Sequence, residues 1–247
     1  MIRYNFLMVV TLATLSIASC SKKNEGVGLP DNSSSLTLVN LINKSNGFYT
    51  NFTPSSGGKA GAETLEWYST AARIGYGGSK EFALGSGTQT VGIASVTDTS
   101  SFEWVGTFDL PVLGVRSLYF IGPDTLHIDT LLTTDSIPDY SIGDSVVGVR
   151  FIHLAQGTDP VSVDIIGGND TLVQSLSYKG VTGFLTLPAT VTNPATKSYK
   201  FEFRDLVSGN VLATYTYSSF HIFKSISIAL TNNGSPTSWR TVVVNDY

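Results

Sequence analysis

After residue 35 the chain alternates apolar and polar positions with a period of two. Tyr199, Phe201 and Phe203 alternate with Lys200, Glu202 and Arg204, and Val161, Val163 and Ile165 with Ser162 and Asp164. Ala213, Tyr215 and Tyr217 alternate with Thr214 and Thr216; Ile226, Ile228 and Leu230 alternate with Ser225, Ser227 and Ala229. Successive strand side chains point to opposite faces, so this period predicts half-buried strands. Residues 167–170, 208–210 and 232–234 supply Gly and Asn between the runs, where hairpin turns need positive φ. Only residues 63–72 could hold a helical turn. The pattern predicts an all-β chain of packed sandwiches.

The pattern also repeats. Tyr76, Gly78 and Phe82 recur at the same offsets as Tyr178, Gly180 and Phe184. Thr107, Phe108 and Phe120 parallel Thr214, Tyr215 and Ile228 with one insertion. The run starting at Thr130 parallels the run starting at Thr241, and Val39-Asn40-Leu41-Ile42 parallels Val149-Arg150-Phe151-Ile152. The shared order of these matches predicts two copies of one sandwich, residues 36–136 and 146–247. Each copy is long enough for its own core.

The first residues have a different character. Arg3 precedes an apolar run over residues 6–17, too short to span a bilayer, and the run closes on Ile17-Ala18-Ser19-Cys20. These four residues resemble the lipobox of bacterial lipoproteins. The resemblance implies a signal peptide of residues 1–19, cleavage before Cys20, and acyl chains (palmitate among them) on Cys20 and its new amino terminus. Two or more chains anchor stably where one binds marginally. The bland alternative is an ordinary signal peptide with a chance cysteine. Residues 20–35 are polar and Gly- and Ser-rich, which predicts a lipidated flexible tether. Cys20 is the single cysteine, so no intrachain disulfide can brace the fold. Ser21 after the cysteine resembles the pattern sent onward to the outer membrane. The face on which the domains sit stays open.

A family resemblance covers the part beyond the tether. Val149-Arg150-Phe151-Ile152-His153, Pro160-Val161-Ser162-Val163-Asp164, residues 178–184 and Leu187-Pro188-Ala189 resemble the domain of unknown function numbered 4397. That family is common as tandem copies in cell-envelope lipoproteins of Bacteroidota-type bacteria. The second copy carries the motifs; in the first, Asn40 stands where Arg150 does and no histidine follows Ile42. The resemblance implies an immunoglobulin-like sandwich and no activity.

Candidate chemistry is sparse. His127 and Asp129 would share one strand face, two metal ligands where zinc needs three or four; the alternative is a polar strand face. His153 has the parity of Val149 and Phe151 and reads as a satisfied core histidine, and His221 has no companion motif. No nucleophile elbow and no phosphate-cradling loop is present, so neither a catalytic residue nor a cofactor is expected. Trp67, Tyr68, Trp104 and Trp239 could stack on a sugar ring or fill sandwich cores, with Trp67 the one expected to be exposed. Thr125, Thr130, Ser136, Ser145 and Thr171 each follow Asp and precede an aliphatic residue. That triplet resembles the O-glycosylation acceptor of such envelope proteins, although Asp opening turns in a Ser- and Thr-rich chain makes such triplets anyway.

Charge narrows the partners. Removing residues 1–19 takes away one arginine and no acid, so the net charge of −4 becomes −5. A mildly acidic chain has no electrostatic reason to seek nucleic acid or an anionic lipid surface. The expected function is a non-enzymatic envelope binding, adhesion or structural module, attached to membrane by lipid and meeting an envelope protein or a glycan. A carbohydrate-binding accessory role is the alternative, and a hydrolase a third.

Overall fold

The computed structural model describes residues 32–52, 73–141, 143–167, 171–189, 198–218, 222–235 and 237–245. The expectations for Cys20, Trp67, Tyr68, His221 and the turn at 63–72 lie outside these residues. The chain from Asn32 to Tyr247 is one compact unit. Its described residues hold fifteen strands and no helix.

The first copy contributes β1 (Ser33–Ile42), β2 (Phe48–Asn51), β3 (Ser79–Gly85), β4 (Gly87–Ser95), β5 (Trp104–Leu110), β6 (Val115–Gly122) and β7 (Asp129–Thr134). The second contributes β8 (Val146–Leu154), β9 (Val161–Ile165), β10 (Thr171–Leu176), β11 (Leu185–Pro188), β12 (Tyr199–Asp205), β13 (Val211–Tyr217), β14 (Ser225–Asn232) and β15 (Trp239–Asn245). A central sheet β3-β1-β6-β7 faces an outer sheet β2-β4-β5 in copy one. In copy two the central sheet β11-β8-β14-β15 faces β10-β9-β12-β13. Both are immunoglobulin-like sandwiches, with the first strand parallel to its neighbour in each central sheet (β1 to β6, β8 to β14).

Three apolar cores hold this together. Leu36, Leu38, Phe48, Val91, Ile93 and Phe120 fill the first sandwich. Val149, Phe151, Val163, Phe201, Phe203 and Ile228 fill the second. The third core lies between the sandwiches: Val39, Leu41, Tyr119 and Ile121 pack against Ile152, Leu154, Ala229, Val242 and Val244. The two central sheets are therefore back to back, giving four layers. A central strand is buried on both faces, and β14 is buried at every residue. Ser225, Ser227 and Ala229, which the alternation would turn toward water, lie inside.

Backbone pairing fixes which residues of the two copies correspond. Asn40 N donates to Gly78 O and Gly77 N to Asn40 O; His153 N donates to Gly180 O and Lys179 N to His153 O. Asn40 thus corresponds to His153. Leu36 and Leu38 then match Val149 and Phe151 on the sandwich cores, and Val39 and Leu41 match Ile152 and Leu154 on the shared core. The expected match of Val39 with Val149 is off by three residues. An odd slip turns every side chain to the wrong face. Phe120 pairs with Asn40 and Leu230 with His153, so Leu230 rather than Ile228 matches Phe120. The match of Thr130 with Thr241 holds, since these pair with Phe120 and Leu230. Phe82 pairs with Leu36 and Leu185 with Val149, so Leu185 takes the place of Phe82 and Phe184 is an extra residue.

Left-handed backbone recurs at corresponding places. Lys44 (φ 61°) matches Gly157 (79°), Gly77 (78°) matches Lys179 (61°), and Leu113 (54°) matches Phe223 (68°). Positive φ crowds a Cβ, so its recurrence with different side chains marks turns that the fold itself requires.

The tether boundary also moves. Ser33, Ser34 and Ser35 pair with Gly85, Leu84 and Ala83 inside β1, so the strand starts three residues before residue 36. Three serines carry no apolar period; main-chain pairing with β3 makes them a strand.

Candidate functional site

The parallel pairs β1/β6 and β8/β14 gather their C-terminal ends at one end of the body, the distal rim. Asn43, just past β1, accepts a hydrogen bond on Oδ1 from Gly234 N, just past β14, at 3.1 Å. Asn43, Lys44 and Pro123 of copy one and Gln156, Gly157, Asn232, Gly234 and Ser235 of copy two line a cleft of about 320 Å³ there. That volume is at the small end of ligand sites.

The cleft walls are held by neutral polar bonds. Asn232 Oδ1 accepts from Gln156 N at 2.7 Å, and its Nδ2 donates to Gln156 O at 3.2 Å. The Tyr76 hydroxyl donates to Asn232 O at 2.5 Å and lies 3.2 Å from Asn43 Oδ1. The Arg240 guanidinium sits 4.9 Å over the Tyr76 ring, a cation–π contact between the copies. Burial pushes the Tyr76 hydroxyl above its ordinary pKa and Arg240 opposes this, so the phenol stays a neutral donor. Lys44, exposed and left-handed, is the one charged side chain in the lining. The lining offers no nucleophile–base pair.

Just inside the rim, Asn40 and His153 fill the same socket. Asn40 Oδ1 accepts from Ile42 N at 3.1 Å, and Nδ2 donates to Ile74 O at 2.9 Å and to Ser45 Oγ at 3.4 Å. His153 Nδ1 accepts from Ala155 N at 3.3 Å, while Nε2 faces Thr158 Oγ1 at 3.1 Å and Asp159 O at 3.3 Å. In both copies the acceptor serves the amide two residues on and the donor serves a hydroxyl five residues on. These partners assign His153 as neutral with its proton on Nε2. Burial pushes its pKa below the usual imidazole value, against smaller opposing effects of Asp159 and Asp205. His153 is fully buried, and its hydrogen bonds tie the turn after β8 to the strand.

Arg150 is another buried group, 2% exposed. Its Nη1 lies 2.7 Å from Asp135 Oδ1, an ion pair between the copies, and its Nε donates to Ser227 Oγ at 2.5 Å. Phe184 covers the guanidinium at 4.8 Å. Asp135 also accepts from Ser117 Oγ at 2.6 Å and Thr133 Oγ1 at 2.7 Å. Both charges are thus hydrogen-bonded, which their burial demands.

The residues singled out from sequence do not converge. Trp104 packs on the first core, edge-on to Phe120 at 5.0 Å, and Trp239 packs on the second. Large rings close open sandwich ends, so these two do not form a joint sugar platform. The Trp239 Nε1 is buried without a hydrogen-bond partner. His127 is not on a strand with Asp129: it lies in the loop before β7, with Nδ1 2.8 Å from Asp124 Oδ1. The Asp124 carboxylate also accepts from Leu126 N and His127 N, so a local turn absorbs the histidine. Among the described residues no three His, Cys, Asp or Glu side chains converge as metal ligands.

The triplet hydroxyls lie at both ends of the body. Thr125 follows β6 at the distal rim and Thr130 is in β7, while Ser136 and Ser145 are exposed at the opposite end, the base. Thr171 is exposed at the start of β10. Thr125 hydrogen-bonds the half-buried Glu103, whose carboxyl burial pushes above its ordinary pKa. Sequence reasoning missed Asn43, Lys44 and Gln156. Their signal was the paired turn clusters after β1 and β8, which only the two-copy register aligns.

No family model matches the chain, and no curated protein matches it. Among solved structures the chain is similar to one described as the Bacillus anthracis TIE protein, at 12% identity and a TM-score of 0.24. The alignment covers 85% of this chain and 34% of that one, so the chain spans about a third of its length. So loose a likeness carries no argument about fold or role.

Proposed function

We propose that this chain is a non-enzymatic lipoprotein of the outer membrane, anchored through acylated Cys20, that presents a paired sandwich for binding or structural duty. The observation that carries the reading is Ile17-Ala18-Ser19-Cys20 closing a short apolar run behind Arg3. The rim cleft between the copies offers a place for a small ligand. Radiolabelled palmitate should mark the wild-type chain and spare Cys20→Ser; equal labelling of both, or of neither, rejects the anchor.

Trp104 and Trp239 pack half-buried on separate cores, so a shared aromatic platform in the glycan alternative would have to come from Trp67 and Tyr68. Glycan-array binding abolished by Trp67→Ala would support it, and a blank array would remove it. Ser136, Ser145 and Thr171 are the exposed acceptors for O-linked sugar, and intact mass of the native protein without added hexose would exclude that modification.

A further inference from the structure

The end opposite the cleft carries a feature that neither copy needs for its own fold. The loop from β5 to β6 exposes Val112 (57%) and Leu113 (72%), and the loop from β13 to β14 exposes Ile222 (39%) and Phe223 (40%). Leu113 and Phe223 correspond between the copies: Leu113 N donates to Ser33 O and Phe223 N to Val146 O, each at the start of a first strand. Both have positive φ, a conformation that favours glycine, yet both carry a bulky apolar side chain pointing into water. Because β1, β6, β8 and β14 all run toward the rim, both loops lie at the base. Tyr140 stacks on Phe223 at 6.0 Å, widening the apolar surface.

We infer that these two loop tips form an apolar foot that seats in the phospholipid bilayer holding the anchor. The inference rests on the lipoprotein reading for its occupant. Leu113 bonds to Ser33, the first strand residue after the polar residues 20–32 that join Cys20 to the body. Thirteen residues reach at most about 45 Å, so the bilayer is always within range of the base. An interfacial apolar surface adds to acyl anchoring in proportion to the area it buries. Lys224, following Phe223, has a stem that can lie along the surface with its ammonium among headgroups. Seated this way, the body would stand upright with the rim cleft facing away from the membrane. The exposed Leu126, 86% accessible on the loop after β6, is at the far end and should stay in water.

The test does not depend on acylation. Residues 21–247 contain no cysteine and include the whole compact unit from Asn32, and an oligohistidine tag before Ser21 replaces the lipid. Bound to phosphatidylcholine vesicles doped with nickel-chelating lipid, Leu113→Cys and Phe223→Cys carrying bimane should be quenched by acyl-brominated lipid. Leu126→Cys should keep its emission, and Val112→Ser with Ile222→Ser should relieve quenching at Leu113→Cys several-fold. Absence of quenching at both tips, or equal quenching at Leu126→Cys, overturns the inference. So does burial of the tip probes by self-association before vesicles are added. Palmitate labelling of Cys20 decides the anchor separately.

Discussion

The two copies share a backbone and differ in what they send across the interface. Copy one places Asn40 in the socket that His153 fills in copy two, and Thr37 where copy two has Arg150. Gly77 faces Arg240, while its counterpart Lys179 faces Asp129, the counterpart of Arg240. Three cations of copy two reach across: Arg150 to Asp135, Lys179 to Asp129, and Arg240 to the Tyr76 ring. The copies thus share backbone pairing and differ in sign at the interface, where copy two supplies cations and copy one supplies carboxylates and a ring.

Breaking the Arg150 pair should have the largest effect. Arg150→Met leaves the Asp135 carboxylate buried and uncompensated, a loss of about 3–5 kcal/mol by urea unfolding. Arg150→Met with Asp135→Leu should recover most of that, because the desolvation cost disappears with the attraction. A double variant as unstable as the single one would mean that the guanidinium acts by packing alone.

Leu41→Ala and Leu154→Ala probe the symmetric part of the shared core. Both residues are buried at corresponding positions, so each should cost about 2–5 kcal/mol and the two should agree within about 1 kcal/mol. Urea midpoints that differ widely would show that the third core leans on one copy.

His153→Asn turns the second socket into the first. At pH 8 it should cost about 1 kcal/mol, from the smaller side chain. Its signature is in acid. The folded pKa of His153 lies below the unfolded value near 6.5, so the unfolded chain binds the proton more readily. The histidine's contribution is whole above pH 6.5 and falls away as pH drops through the folded pKa. Wild-type stability should therefore decline below pH 6.5 more steeply than that of His153→Asn in parallel thermal melts. Equal slopes would place the proton elsewhere.

Lys179→Ala should have the smallest effect. Its pair with Asp129, at 2.7 Å, is one-third to one-half exposed. Exposed pairs contribute about 0.2–1 kcal/mol, and added salt should erase the difference between variant and wild type.

Much of the fold was legible. The strand Tyr199–Asp205 was readable because alternate side chains meet the second core while those between them are more exposed. The correspondence of Thr130 with Thr241 was readable because both strands keep the same short polar-apolar run. The start of the repeat was misread because β1 and β8 are apolar on both faces, and a doubly buried strand has no parity to align. The rim cleft was not legible, since each lining residue looks like an ordinary turn residue until two copies are set side by side.

By itself the sequence determined that this chain is all-β, that it is built twice over, and that its single cysteine, Cys20, closes the first apolar run. Local pattern suffices for those because strand period and turn chemistry act over a few residues. Only the tertiary structure decided that the two sandwiches join through a third core, that Trp104 and Trp239 close separate cores, and that Asn40 corresponds to His153. Those facts depend on which sheet faces meet, and packing between faces distant in sequence leaves no mark on the local alternation.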